Sequence, residues 1–82
     1  MIVVEVKFPI LDTSYDFKLD EDTPVSLITD DMIAVISQKE HKKLKDSDFE
    51  FMLFNSSTQT VLTSGCSLYE NGVKSGDSLI LI

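Results

Sequence analysis

The chain has 82 residues and a formal net charge of −7, with 14 acidic and 7 basic side chains. An acidic surface without arginine argues against binding to nucleic acids or insertion at anionic membranes, since both depend on lysine and arginine. The length predicts a single domain over residues 1–82. One cysteine and an N-terminus without an export signal predict a cytoplasmic protein without disulfides.

The first two segments alternate in polarity and predict a β-hairpin. In residues 2–8, Glu5 and Lys7 fall on one face of a strand, and apolar side chains fall on the other. Residues 15–19 alternate in the same way. The proline, aspartate, threonine and serine of residues 9–14 predict the turn that joins the two strands.

Three consecutive acids, Asp20, Glu21 and Asp22, precede the main predicted helix. Carboxylates are favoured near the positive end of a helix, and this is the preferred explanation. Metal binding is the alternative. An EF-hand loop, however, needs ligands out to a twelfth position and a central glycine, and neither is present here. The sequence therefore predicts no metal site at these acids.

The element around which the chain is organised is a helix predicted over residues 23–39. Asp22 and Thr23 are candidates for the N-cap, and Pro24 fits the first helical position, where its missing N–H is no loss. Leu27 lies opposite the apolar stripe and is expected to need a separate contact. The stripe itself has helical spacing and consists of Val25, Ile28, Met32, Val35 and Ile36.

A basic cluster follows the helix. Cations near a helix C-terminus are stabilised by the helix dipole, which is sufficient to explain the cluster. A docking patch for an acidic partner is the alternative. The cluster consists of Lys39, Lys42, Lys43 and Lys45.

The third predicted strand covers residues 49–54, with the sequence FEFMLF. If Glu50 faces solvent, the alternation places Phe49, Phe51 and Leu53 in the core. This assignment leaves the other apolar side chains of the strand on the same face as Glu50.

The rest of the chain predicts two more strands. Residues 60–63 predict a short fourth strand. Two glycine-containing turn signals then surround a short helical turn at residues 67–70, near which Leu68 and Val73 are the expected buried residues. The final segment, residues 78–82, reads SLILI and is apolar on both faces, as a central strand is.

The element order is ββαββ, with a short helical turn before the last strand. It predicts an α+β fold in which one helix packs on a mixed sheet of four to five strands. The first and last strands are expected to be parallel neighbours in the middle of the sheet, which is the β-grasp arrangement.

No group of residues indicates catalysis or cofactor binding. A reactive Cys66 would need a lowered pKa, and a packing role is preferred. Cys66 and His41 lack a third group to orient a nucleophile–base pair, and they supply only two of the four ligands of a structural zinc site. The glycine-containing turns do not match a phosphate-binding loop. The sequence therefore predicts no enzyme, no metal and no cofactor.

One helix covers only one face of a sheet, so the other face is expected to be open. An apolar patch of this extent indicates a contact surface, with Phe54 and Ile80 as the expected anchors. Three occupants remain open: a protein partner, a second copy of the chain in a homodimer, or the chain's own residues 40–48. The residues predicted to form a contiguous patch on this face are Val3, Met52, Phe54, Ile80 and Ile82.

The layout, the Thr-Pro-Val at the helix start and the C-terminal SLYENGVKSGDSLILI resemble ubiquitin-like proteins. With its length and acidic charge, the chain is most similar to the EsaB/YukD family, which is associated with type VII (WXG100, ESAT-6-like) secretion in Gram-positive bacteria. The resemblance implies a non-enzymatic accessory or regulatory protein that contacts components of the secretion system. The alternative is a small β-grasp subunit of a multicomponent enzyme such as a monooxygenase.

The end of the sequence differs from that of conjugated ubiquitins. Those proteins and sulfur carriers end in a flexible tail with Gly-Gly, whereas Ile82 falls within the predicted last strand. The expectation is therefore that the chain takes part in neither conjugation nor sulfur transfer.

Overall fold

The computed structural model describes residues 1–41 and 51–82. In this part of the chain, five strands form one mixed sheet with the order β2-β1-β5-β3-β4, and one α-helix packs on it. The predicted α+β, β-grasp fold is confirmed. The elements are β1 (Ile2–Phe8), β2 (Thr13–Leu19), α1 (Val25–Glu40), β3 (Leu53–Asn55), β4 (Thr60–Val61) and β5 (Ser78–Leu81).

The predicted hairpin is formed by β1 and β2. They pair antiparallel in continuous register from Ile2–Leu19 to Phe8–Thr13. A short 3-10 helix, Pro9–Leu11, makes the turn and ends at Asp12, whose φ of 51° is left-handed. Because the turn is this compact, β2 begins two residues before the predicted residue 15.

The last strand lies at the centre of the sheet, as its two apolar faces predict. β5 runs parallel to β1 and antiparallel to β3. The side chains of Leu79 and Leu81 are fully buried. The hydrophobic core therefore lies between this central part of the sheet and α1.

The helix packs through a stripe that differs from the predicted one at its borders. Val35 is 40 % exposed, so the prediction that it belongs to the core is wrong, while Thr29 and Ile33 are buried. At 100° per residue, Val35 lies about 60° from Met32 around the helix, on the side of β2 and away from Thr29 and Ile33. Leu27, which was expected to need a separate contact, is exposed.

The start of α1 is capped by backbone from a distant loop. Pro24 is the N-cap residue and no side chain caps the helix, so the predicted caps and the predicted place of Pro24 within the helix are wrong. The amide of Val25 donates to the carbonyl of Cys66 at 2.9 Å, and the amide of Ser26 donates to that of Ser64 at 3.0 Å. These bonds satisfy amides that have no partner within the helix.

The third and fourth strands are shorter than predicted. Phe49 and Glu50 lie outside the described residues, but Phe51 packs against Phe8 with ring centroids 5.7 Å apart and Leu53 is buried, as the alternation predicts. β4 ends at Val61.

The predicted helical turn at residues 67–70 forms as a single turn. The amide of Asn71 donates to the carbonyl of Ser67 at 3.0 Å. The Ser67 hydroxyl accepts a hydrogen bond from the Glu70 amide, and the Glu70 carboxylate accepts one from the Ser67 amide. This reciprocal pair is a capping box. The predicted burial of Leu68 and Val73 is confirmed.

Candidate functional site

The face of the sheet opposite α1 carries a cluster of apolar side chains. Phe54 of β3 pairs with Ile80 of β5 on one side and with Val61 of β4 on the other. The amide of Met52 donates to the carbonyl of Ile82 at 2.6 Å, and the amide of Ile82 donates to that of Met52 at 2.9 Å. Directly paired residues point to the same face of a sheet. These five residues therefore form one apolar patch.

The patch has a half-buried centre and a more exposed rim. Met52, Val61 and Ile82 are 50 %, 57 % and 51 % exposed, whereas Phe54 and Ile80 are half-buried. An arrangement with the best-packed side chains in the middle is typical of protein interfaces. This arrangement is consistent with Phe54 and Ile80 as the anchors of a contact. Their role as anchors stays a prediction.

Val3 does not join the apolar patch, although the sequence predicts that it does. It is exposed on the same face, but the residue of β1 beside Ile80 is Lys7, about 13 Å further along the strand from Val3. Glu5 lies between them and accepts a hydrogen bond from the Ser78 hydroxyl at 3.3 Å. The parallel register of β1 and β5 therefore separates Val3 from the other four predicted residues by polar groups.

Val61 belongs to the patch, although the sequence patterns do not predict it. The signal that identifies it is the alternation of β4, because Leu62 is buried and its neighbour must point to the opposite face. The sequence predicts the strand but not the face to which each of its side chains points.

Several predicted features lie outside the described residues. They are most of residues 40–48, which are one of the three expected occupants of the open face, and most of the basic cluster. The residues concerned are 42–50 and include Lys42, Lys43 and Lys45.

The end of α1 is tied to β2 by a polar contact. The hydroxyl of Tyr15 donates to Oε1 of Glu40 at 2.7 Å, and Nζ of Lys39 lies 5.3 Å from the centroid of the Tyr15 ring. The hydrogen bond to Glu40, with desolvation and the negative charge of Glu40, raises the pKa of Tyr15. Lys39 therefore has a local partner in addition to the helix dipole.

Cys66 and His41 are at opposite ends of the helix. The carbonyl of Cys66 accepts the hydrogen bond from Val25, the first residue of α1, and His41 is the C-cap. A helix of 16 residues is about 24 Å long. The two side chains therefore cannot form a nucleophile–base pair or share one metal ion.

The carboxylates of Asp20, Glu21 and Asp22 lie within 4.8 Å of one another. Local contacts explain this arrangement. Oε1 of Glu21 forms an ion pair with the amino group of Met1 at 3.1 Å. Oδ1 of Asp20 accepts a hydrogen bond from the amide of Asp22 at 3.0 Å, which makes a tight local turn. The acids precede the helix as predicted but are absent from its first turn.

A groove of about 330 Å³ runs between β2 and α1. Lys18, Asp20 and Asp31 line it along with its apolar walls. Val35 is exposed because it forms part of this groove. The apolar lining consists of Met1, Phe17, Leu19, Ile28, Met32 and Val35.

Across residues 1–41 and 51–82, no helix combines the length and the apolar character needed to cross a membrane.

Comparison with known sequences gives no assignment. No protein-family model matches the chain, and no curated protein is significantly similar to it in sequence.

Comparison with solved structures gives several similar folds. The ubiquitin-like domain of EccD5 from Mycobacterium xenopi aligns with 99 % of this chain and 91 % of its own length, at a TM-score of 0.77 and 24 % identity. The ubiquitin-like domain of EccD1, a type VII secretion protein of Mycobacterium tuberculosis, aligns with 100 % of this chain and 99 % of its own length. The TM-score is 0.69 and the sequence identity is 21 %. A ubiquitin-like domain of Arabidopsis thaliana protein At2g32350 aligns with 99 % of this chain and 74 % of its own length, at a TM-score of 0.72 and 23 % identity.

A chain of the ESX-5 inner membrane complex is also similar. It aligns with 99 % of this chain at a TM-score of 0.76 and 23 % identity, and the alignment covers 20 % of that chain. Ubiquitin-like domains of type VII secretion proteins are thus among the structural neighbours, in agreement with the resemblance to the EsaB/YukD family. The fold of this chain is the ubiquitin-like fold.

Proposed function

We propose that the chain is an accessory or regulatory component of a bacterial type VII secretion system, of the EsaB/YukD kind. In this proposal it acts in the cytoplasm, by contact with a protein component of the system and without catalysis. The structural likeness to ubiquitin-like domains of EccD1 and EccD5 supports the choice of system.

The apolar patch is the observation that carries the proposed mode of action. Five large apolar side chains share one face that α1 does not cover, and three of them are about half exposed. Burying one such side chain stabilises a complex by about 1.5–3 kcal/mol before ordering costs are subtracted. Contact through this face is therefore favourable without any group that could react.

Contact rather than conjugation is part of the proposal. The backbone amide and carbonyl of Ile82 are both hydrogen-bonded to Met52. The residues up to Ile82 are thus held by the sheet and present a folded surface for contact. In the proposal, the chain is recovered from cells without covalent adducts.

The test is a deletion of the gene in the bacterium that encodes the chain, followed by measurement of ESAT-6-like proteins in the culture supernatant. Deletion is expected to reduce their export, and the wild-type gene is expected to restore it. The double variant Met52→Asp, Ile82→Asp is expected to restore much less, because two carboxylates at the rim prevent an apolar contact.

The matched control is Leu27→Asp, which places one carboxylate at an equally exposed apolar position on α1. It is expected to restore export like the wild type. Circular dichroism and protein abundance must show that all variants are folded and present. Normal export after deletion would overturn the role in secretion, and full restoration by the double variant would overturn the role of the patch.

A further inference from the structure

The outer edge of β2 is a regular strand edge without a partner in the described part of the chain. β2 ends the strand order and is paired there with β1 alone. It has 7 residues with neither a proline nor a bulge, whereas β4 at the opposite edge has 2 residues. Sheet edges are usually short, bulged or interrupted because a long regular edge pairs with another strand.

The direction of the backbone groups along β2 follows from the sheet. On β1, the carbonyl of Val3 and the amide of Glu5 bond to the β5 side. Because backbone groups alternate in direction along a strand, the amide and carbonyl of Val4 point towards β2. There Val4 pairs with Phe17, whose amide and carbonyl point back towards β1. The residues of β2 whose amides and carbonyls point away from the sheet are therefore the alternate ones, Ser14, Asp16 and Lys18.

We propose that this edge pairs antiparallel with the same edge of a second copy of the chain, about a two-fold axis at Phe17. Asp16 then lies opposite Lys18 of the second copy, and symmetry produces this pair twice. Asp16 and Lys18 are also the residues whose backbone groups point outward. The two Asp16–Lys18 pairs therefore form the backbone hydrogen bonds between the copies. Each pair also places a negative side chain beside a positive one.

The other symmetric registers are less favourable. A two-fold axis at Asp16 or at Lys18 places two like charges directly opposite each other, which is destabilising. An axis at Tyr15 places Phe17 opposite Thr13 and Asp16 opposite Ser14, so that the Asp16–Lys18 pairs are lost. The charge pattern of the strand is thus self-complementary in the register centred on Phe17.

The side chains on the other face of β2 favour the same register. Tyr15, Phe17 and Leu19 face the core but remain half-buried, because no further strand covers them in the described part of the chain. In the proposed dimer, Phe17 faces Phe17 of the second copy and Tyr15 faces its Leu19. Pairing therefore removes apolar surface from water as well as satisfying the backbone. This proposal does not rest on the role in secretion.

The experiment is sedimentation equilibrium on the wild type and on charge variants of the edge. The wild type is expected to be in monomer–dimer equilibrium. Lys18→Asp opposes two pairs of carboxylates and is expected to raise the dissociation constant about tenfold or more. The double variant Asp16→Lys, Lys18→Asp exchanges the two charges and is expected to restore the dimer. Both side chains are exposed, so the fold is retained.

The control is Lys7→Asp, which makes the same charge change on β1, away from the edge, and is expected to leave the dimer intact. A second readout is amide exchange, which is expected to slow with concentration at Asp16 and Lys18. A monomeric wild type at its highest soluble concentration overturns the proposal and leaves the edge to a strand from another protein. A dimer that survives Lys18→Asp, or that the double variant fails to restore, overturns it as well.

Discussion

At the scale of single residues, Tyr15 connects the edge of the sheet to the end of the helix. Its hydroxyl donates to Glu40 at 2.7 Å, and its ring stands 6.2 Å from that of Phe17 on the same strand. A phenolate in this position would face the Glu40 carboxylate and lose the hydrogen bond, so the protonated form is favoured. The structure therefore places the Tyr15 pKa above its ordinary value of 10.0.

The raised pKa can be tested in a variant that contains one tyrosine. The chain has two tyrosines, so Tyr69→Phe leaves Tyr15 as the only phenol. Titration of the phenolate absorbance is expected to give a pKa above 10.0. Adding Glu40→Gln removes the negative charge and is expected to lower the pKa of Tyr15. An equal pKa with and without this change would contradict the assignment to Glu40.

The same contact predicts the direction of a pH effect on stability. The unfolded chain loses the Tyr15 proton at a lower pH than the folded chain, so the unfolded state binds fewer protons above pH 10.0 and the free energy of unfolding falls there. Urea unfolding on both sides of this pH measures the fall. Tyr15→Phe is expected to reduce it, since phenylalanine has no proton to lose.

At the scale of elements, the two ends of α1 show what the sequence could and could not predict. The helix and its direction follow from local spacing, and most of the predicted stripe is buried. The N-terminal cap does not follow, because its acceptors are the carbonyls of Ser64 and Cys66, which come from the other half of the chain. The border of the stripe at Val35 likewise depends on distant residues, because Val35 lines a groove whose other wall includes Phe17 and Leu19 of β2.

The turn at residues 67–70 is expected to stabilise this end of the helix. Ser67 is buried and forms an isolated bridge with Pro24, the N-cap residue. Ser67→Ala removes the hydroxyl that accepts from the Glu70 amide at 3.1 Å. It is expected to lower the free energy of unfolding by about 0.5–2 kcal/mol, as measured by urea unfolding.

The reciprocal half of the capping box supplies the matched control. Glu70→Gln keeps an oxygen that can accept from the Ser67 amide and is expected to be nearly neutral, whereas Glu70→Ala removes it. Because the two bonds form one unit, Ser67→Ala and Glu70→Ala combined are expected to cost less than the sum of the single changes. Strict additivity would show that the two bonds act independently.

At the scale of the whole molecule, alternation and the apolar last strand were sufficient to predict the fold and the side of the sheet that α1 leaves uncovered. They were not sufficient to predict which residues of that side touch. Contact across strands depends on register, and the parallel register of β1 and β5 places Lys7 beside Ile80. Alternation alone therefore places Val3 and Ile80 in one patch, although the register puts Glu5 and Lys7 between them.

The net charge of −7 gives the prediction that belongs to the molecule as a whole. Excess charge of one sign destabilises a compact state by self-repulsion. Among the described residues, the ion pair that would oppose this effect is that of Met1 with Glu21, and exposed pairs contribute about 1 kcal/mol or less. Added salt screens both effects, and the larger effect is the repulsion. The free energy of unfolding is therefore expected to rise with sodium chloride.

The measurement is urea unfolding at low and at moderate sodium chloride, because urea, unlike guanidinium, adds no ions. The midpoint is expected to move to higher urea while the slope stays constant, since the surface exposed on unfolding is unchanged. Potassium chloride serves as the control and is expected to give the same shift, because screening depends on ionic strength. A midpoint that falls with salt would mean that attractive ion pairs outweigh the repulsion.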